Sequence, residues 1–355
     1  MIFQNTIVRF IAFFIPVKDM RENFQKSYSR KTKFAKLRDK INRVSEQNIL
    51  LIKENREIKQ YLKRIETILI NHSILTGLDI KRKGQSGGRV YLSVLSIAKN
   101  EGPYIKEWIE YHKLVGVERF YFYDNDSTDN TKEVLEPYIN DGTVIYHEVP
   151  GKLQMIPAYR DCISKYKNHT RWLAIIDMDE FIVPIEKETI PEFLKDYEKY
   201  PAVGINWVMF DSNGHENKPS KHGGLLSANY TRVGVNSKDR LQGNIHIKSI
   251  INPKDVVTIV NPHYAVYKGG APAVTENFES VYGPWTNVHS SVKIQINHYY
   301  TKSREEYLKR CQGGKPESNN PKRYFESAIN FKEGIKDTAI QKYLPKLKEA
   351  MGVKD

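Results

Sequence analysis

Between residues 91 and 181, four apolar, β-rich runs alternate with helix-patterned segments. This alternation constrains the fold more than anything else in the chain. The runs are YLSVLSIA (91–98), VERFYFYDND (117–126), GTVIYHEV (142–149) and TRWLAIIDMDEF (170–181). Between them, NEGPYIKEWIEYHKLVG (100–116) carries Ile105, Trp108, Ile109 and His112 at helical spacing, with Gly116 as a stop. STDNTKEVLEPYI (127–139) opens on Ser127 and Thr128, either of which can cap a helix, and QMIPAYRDCISKY (154–166) has Pro157 near its start. Buried strands that alternate with helices predict a parallel, doubly wound α/β sheet. Further strands are expected at 202–210, 244–252, 255–260 and 291–300, and helices from Lys302 to Met351.

In such sheets a ligand sits outside the carboxyl ends of the strands. The first run ends at Lys99, Asn100 and Glu101, the second at Asp124, Asn125 and Asp126, and the fourth at Asp177 and Asp179. One such end is ordinary, because Asn and Asp commonly end strands and cap helices. Three together point to a shared site. RWLAIIDMDEFIVP (171–184) sets Asp177, Asp179 and Glu180 after an apolar run, where unpaired anions are costly and need partners or a metal. In an extended chain, residues i and i+2 share a face, so Asp177 and Asp179 reach one ion. Hard oxygen ligands favour Mg²⁺ or Mn²⁺.

The net charge of +13 is uneven: residues 1–90 hold 20 Lys and Arg against 8 Asp and Glu, so +12 of it lies there. An electrostatic partner therefore meets this extension and not the nearly neutral body. MIFQNTIVRFIAFFIPV is short for a membrane span and interrupted by Arg9, and ten basic residues follow within 18–43. Residues 1–33 are expected to seek an anionic membrane surface, with packing on the protein itself as the alternative. Phe34, Leu37, Ile41, Val44, Asn48, Leu51, Asn55, Ile58, Leu62, Ile65, Leu69 and His72 step by three and four, which predicts a coiled coil over 34–76 and a homo-oligomer. Residues 77–90 read as a linker. The two cysteines show neither disulfide-framework nor metal-ligand spacing and suit a reducing cytosol. The expected location is cytoplasmic, peripheral on the inner membrane face. Nucleic-acid binding is not expected, because the basic charges are spread along a helix with few interleaved aromatics.

SVLSIAKNEGPYIKEWIEYHKLVGVERFYFYDNDSTDNT, DMDEF and INHYYTKSREEY together resemble glycosyltransferase family 2-like and family 92 proteins, which have the GT-A fold. The resemblance covers roughly 91–312, leaving 313–355 as a C-terminal helical extension. It implies transfer of a sugar from a nucleotide sugar, UDP-linked, to an acceptor hydroxyl of a glycan or glycolipid in surface polysaccharide or glycolipid synthesis. The family's D-x-D falls on Asp177 and Asp179, which would hold Mn²⁺ or Mg²⁺ against the donor diphosphate. His298 falls where many GT-A enzymes supply a third metal ligand. That role requires its strand to end at Asn297, since alternation from Val292, Ile294 and Ile296 would otherwise bury it. The resemblance places Asn100 and Glu101 near the nucleotide, Asp124 at the base or ribose, and Lys248, His263 and Lys302 near the donor phosphates. An inverting transferase needs a carboxylate base. Asp211 is the candidate, standing where many members have glycine, with Glu216, Asp239 and Glu279 as rivals. A non-catalytic membrane-associated scaffold on a degenerate transferase body is the alternative reading.

Overall fold

The computed structural model describes residues 89–234, 244–312 and 334–353. The expected membrane-seeking segment, the coiled coil, all but the end of the linker and Asp239 lie outside them. The first half alternates as expected: β1 (Val90–Ala98), α1 (Gly102–Leu114), β2 (Arg119–Asp124), α2 (Thr131–Asn140), β3 (Val144–Glu148), α3 (Met155–Tyr166) and β4 (Thr170–Ile175). The chain continues through β5 (Glu180–Pro184), α4 (Ile190–Leu194), β6 (Ala202–Met209), α5 (Leu226–Asn229), β7 (Arg232–Gly234) and β8 (Ile247–Ile251). Then come β9 (Val256–Asn261), β10 (Tyr264–Tyr267), β11 (Ala273–Val274), β12 (Ser280–Val281), β13 (Ile294–His298), α6 (Arg304–Gln312), β14 (Gly334–Lys336) and α7 (Leu344–Met351).

Strands run in the order β12-β11-β6-β8-β4-β1-β2-β3, with β13 joined to β6 and β5. Strands β1 to β4 pair in parallel, whereas β8 lies antiparallel between β4 and β6. The sheet is therefore mixed, with a parallel half. Alternation on the strands explains the two-sided burial: Leu92, Val94, Phe120 and Phe122 face a core with Trp108 and Trp172, while Leu95, Tyr121 and Tyr123 face one with Tyr159 and Cys162.

Four differences from the expected elements matter. The fourth run is not one strand: β4 stops at Ile175, residues 176–179 turn, and Glu180 begins β5, which pairs antiparallel with β13. Asp177 and Asp179 thus stand on a turn, closed by the Glu180 amide donating to the Asp177 carbonyl at 3.1 Å. Helix α2 begins at Thr131, because Ser127 and Thr128 serve the loop after β1 instead of capping. Strand β13 runs through His298, which is buried, and starts at Ile294, leaving Val292 exposed. The tail is not wholly helical: β14 pairs with β7, and Ile340, Tyr343 and Leu347 belong to the main core.

Candidate active site

Strand register brings the functional residues to one edge. Ala98 pairs with Asp124 and Leu95 with Ile175, so the loops after β1, β2 and β4 emerge side by side. Antiparallel β8 starts at this same edge, and β6 and β13 end there, with His298 opposite Met209 and Glu180.

The loop after β1 is built by N-E-G. Asn100 has φ 58°, a left-handed conformation that Asn tolerates. Its amide donates to Ser127 Oγ at 2.9 Å, and its Oδ1 accepts the Thr128 amide at 2.7 Å. Glu101 donates its amide to Thr131 Oγ1. Gly102 leaves room for the Asn130 side chain, which a Cβ there would displace: its Oδ1 would lie 2.2 Å away. This packing holds the loop after β2 against the start of α1. There Asp124 accepts the Ser127 amide at 2.9 Å and the Tyr146 hydroxyl at 2.7 Å. Asp124, Asp126, Ser127, Asp129, Lys132 and Tyr146 help to line a cleft of about 290 Å³.

The acid turn is held by cations. Lys248 reaches Asp177 Oδ2 at 2.9 Å and Glu180 Oε2 at 3.5 Å. Burial would depress the Lys248 ammonium, but Asp177 and Glu180 hold it above its ordinary value. Burial lifts Glu180 to about 8, against the pull of Lys248. Asp179 forms an ion pair with Arg310, and His298 Nε2 lies 3.6 Å from its Oδ1. Burial would raise this carboxyl, yet Arg310, His298 and Lys302 hold it well below its ordinary value. Lys302 bonds Glu101 at 3.0 Å and stacks on the Tyr104 ring, which ties it to the loop after β1 and the start of α1. His263 donates from Nδ1 to the Ile247 carbonyl at 2.9 Å, and burial lowers its pKa to about 3.

At the acid turn, four buried polar atoms on three residues lack a hydrogen-bond partner: Asp177 Oδ1, Glu180 Oε1 and both ring nitrogens of His298. Carboxylate and imidazole donors of this kind suit Mn²⁺. Among the described residues no three His, Cys, Asp or Glu side chains converge to ligating distance, and Arg310 and Lys248 already face the two aspartates. A divalent ion here would have to take the place of Arg310 beside Asp179.

Asn100, Glu101, Asp124, Asp177, Asp179, Lys248, His263, His298 and Lys302 are thus joined at one edge. Asp211 adjoins it: the Phe210 amide donates to the His298 carbonyl, but the Asp211 side chain is fully buried, 3.4 Å from Arg232. Glu216 is exposed beside Arg304, and Glu279 is exposed at the far end of the β11–β12 pair. Sequence reasoning missed Arg310 and the grouping of Trp207 with His246, His263 and His298. Arg310 had one signal, its place in the basic helix just after Lys302.

The pattern of glycosyltransferase family 92 matches residues 95–350. A glycosyltransferase family 92 protein of Arabidopsis thaliana is 28% identical over 184 residues, 49% of this chain and 31% of the relative. A galactan beta-1,4-galactosyltransferase of the same plant is 33% identical over 119 residues, 30% of this chain and 23% of the relative. The solved structure of S. aureus TarS 1-349 overlaps 62% of this chain and 63% of its own, with a TM-score of 0.35 and 15% identity. The first three curated relatives are matched over only 31%, 20% and 36% of their length. The match over most of the described body is decisive: this chain belongs to glycosyltransferase family 92.

Proposed function

We propose that the chain transfers a sugar from a UDP-sugar to an acceptor hydroxyl of a glycan, on a GT-A-type sheet and with a divalent cation. The observation that carries this reading is the acid turn at the carboxyl edge, where Asp177 and His298 present unpartnered donor atoms beside Asp179. The cleft at Asp124 and Tyr146 takes the nucleoside, next to Asn100 and Glu101. Asp177, Asp179 and His298 would hold Mn²⁺ or Mg²⁺, which supplies positive charge against the diphosphate as the glycosidic bond breaks. Lys248, Lys302 and Arg310 bring fixed cations to the same place, and such preorganised charge is worth more in a dry site than in water. His263, neutral at working pH, packs beside Lys248 and orients it by excluding water.

We assign the base to Asp211 on its place two residues beyond β6, next to Phe210, whose amide donates to the His298 carbonyl. With Asp211 taking the hydroxyl proton, the acceptor oxygen bonds the anomeric carbon as its bond to UDP breaks, and this single displacement inverts that carbon. A galactosyl group and a galactan-like acceptor are proposed on the named activity of the relatives. Peripheral membrane attachment and oligomerisation through residues 1–76 belong to the same proposal. They rest on sequence pattern, and among the described residues no helix is long and apolar enough to cross a membrane.

The test is turnover of UDP-galactose, UDP-glucose and UDP-N-acetylglucosamine with Mn²⁺ and after EDTA. At least one donor should be hydrolysed or transferred, with activity abolished by EDTA. Asp211→Asn should lower kcat by about 100-fold or more while UDP still binds. Full turnover in excess EDTA contradicts the metal reading, and an unaltered Asp211→Asn enzyme removes Asp211 as the base.

A further inference from the structure

An aromatic and imidazole run leads from the acid turn to the surface. His298 lies against Trp207 with ring centroids 4.4 Å apart, and Trp207 stacks on His246 at 5.3 Å. His246 in turn meets Trp285 edge-on at 5.7 Å. The outer member, Trp285, is 56% exposed, with Tyr282 and Val288 also exposed on the same segment. Exposure here does not reflect a loose segment. His246 and Trp285 form a β-bridge, the Ile247 amide donates to the Pro284 carbonyl, and Thr286 is bonded to both Ile245 and Asn206. A rigid, solvent-facing indole next to a transferase centre needs a reason, because exposed aromatic surface is costly and marks binding sites. Trp207 adds a second observation: its Nε1 is buried and donates to no partner. An unsatisfied indole N–H within this aromatic run is the kind of donor that a sugar hydroxyl accepts from.

We propose that Trp285, His246 and Trp207 form the subsite that receives the acceptor, and that the acceptor is a neutral glycan. The Trp285 ring stacks on the apolar C–H face of a sugar, the perpendicular contact with His246 covering at most one indole face. Trp207 Nε1 donates to a hydroxyl of the same chain. The run ends at His298, so a sugar seated on Trp285 places its neighbour toward the donor. A lipid surface fits less well, because the aromatic edge is walled by the polar imidazoles of His246, His263 and His289. The proposal rests on the transferase reading and deepens it.

Calorimetric titration of the full chain with β-1,4-galactotetraose, cellotetraose and chitotetraose tests it, with UDP titrated in parallel and anionic phosphatidylserine vesicles as a control. At least one tetrasaccharide should bind. Trp285→Ala should weaken that binding about tenfold or more, and Trp285→Phe should restore most of it. Equal binding by Trp285→Ala, binding of none of the three, or loss of vesicle binding alone would overturn the subsite. If UDP binds while the sugar arm fails, only the subsite falls. Failure of UDP itself to bind sinks the transferase reading beneath it.

Discussion

At the residue scale, Asp179 and Arg310 decide what the site is. Asp179 is buried and charged, and a charge in that position must be paired. Arg310, still partly exposed, provides the pair. Replacing it as Arg310→Met should lower the stability of the metal-free protein by about 3 kcal/mol, the lower end for breaking a buried pair. Millimolar Mn²⁺ should return part of that loss, because the ion then takes the place of the guanidinium beside Asp179. Thermal unfolding with and without Mn²⁺ reads both effects, and a variant whose stability ignores Mn²⁺ would show the pair to be purely structural. Asp177 and Asp179 were legible in the sequence as acids at the carboxyl edge of the sheet. Arg310 was not, since a helix running TKSREEYLKRC offers several cations and no rule selects the one that turns inward. His298 was legible as a residue but not in its setting: alternation correctly buries it, and the contact with Trp207 keeps it beside Asp179 all the same.

At the scale of elements, the turn at 176–179 is the feature that sequence patterning could not show. Apolar residues continue on both sides of it, so LAIIDMDEFIVP reads as one strand. The tertiary pairing of β5 with β13 breaks it in two. Alternation of β1 to β4 with α1 to α3 was legible because strands buried on both faces give continuous apolar runs. The three-residue β14 was not, being too short to carry a period. His112 fastens α1 to β5: its Nδ1 bonds the Trp108 carbonyl at 2.8 Å, and the Ile182 amide donates to its Nε2 at 3.3 Å. Those bonds fix a neutral ring with the proton on Nδ1, and burial lowers its pKa to about 3. The unfolded chain binds a proton near the ordinary histidine value while the folded protein does not. Stability is therefore complete above about pH 6.5 and falls as pH drops toward 3, by up to about 1.4 kcal/mol per pH unit from this group. Denaturant unfolding of wild type and His112→Gln across pH 7 to 4 checks this. The variant should be less stable at pH 7 and show a flatter pH dependence, and parallel curves would remove His112 as the cause.

At the scale of the whole molecule, charge and chemistry are divided. The described body carries the sheet, two cores and the candidate site, while +12 of the net charge lies in residues 1–90. The division predicts that catalysis and surface attachment are separable functions. Fold class was legible to this extent because a parallel half-sheet imposes a strong sequence pattern. The antiparallel insertion of β8 between β4 and β6 was not, since strand order depends on contacts between residues far apart in the chain. Those same contacts bring Lys248 to Asp177 across 71 positions of sequence. The central claim is that this edge of the sheet holds a nucleotide diphosphate through a divalent cation. Calorimetric titration of UDP into the protein with Mn²⁺, then in EDTA, and again with Asp179→Asn, measures it most directly. The account predicts UDP binding that weakens about tenfold or more in EDTA and equally in Asp179→Asn, about 1.4 kcal/mol in each case. UDP binding of the same affinity under all three conditions would contradict it.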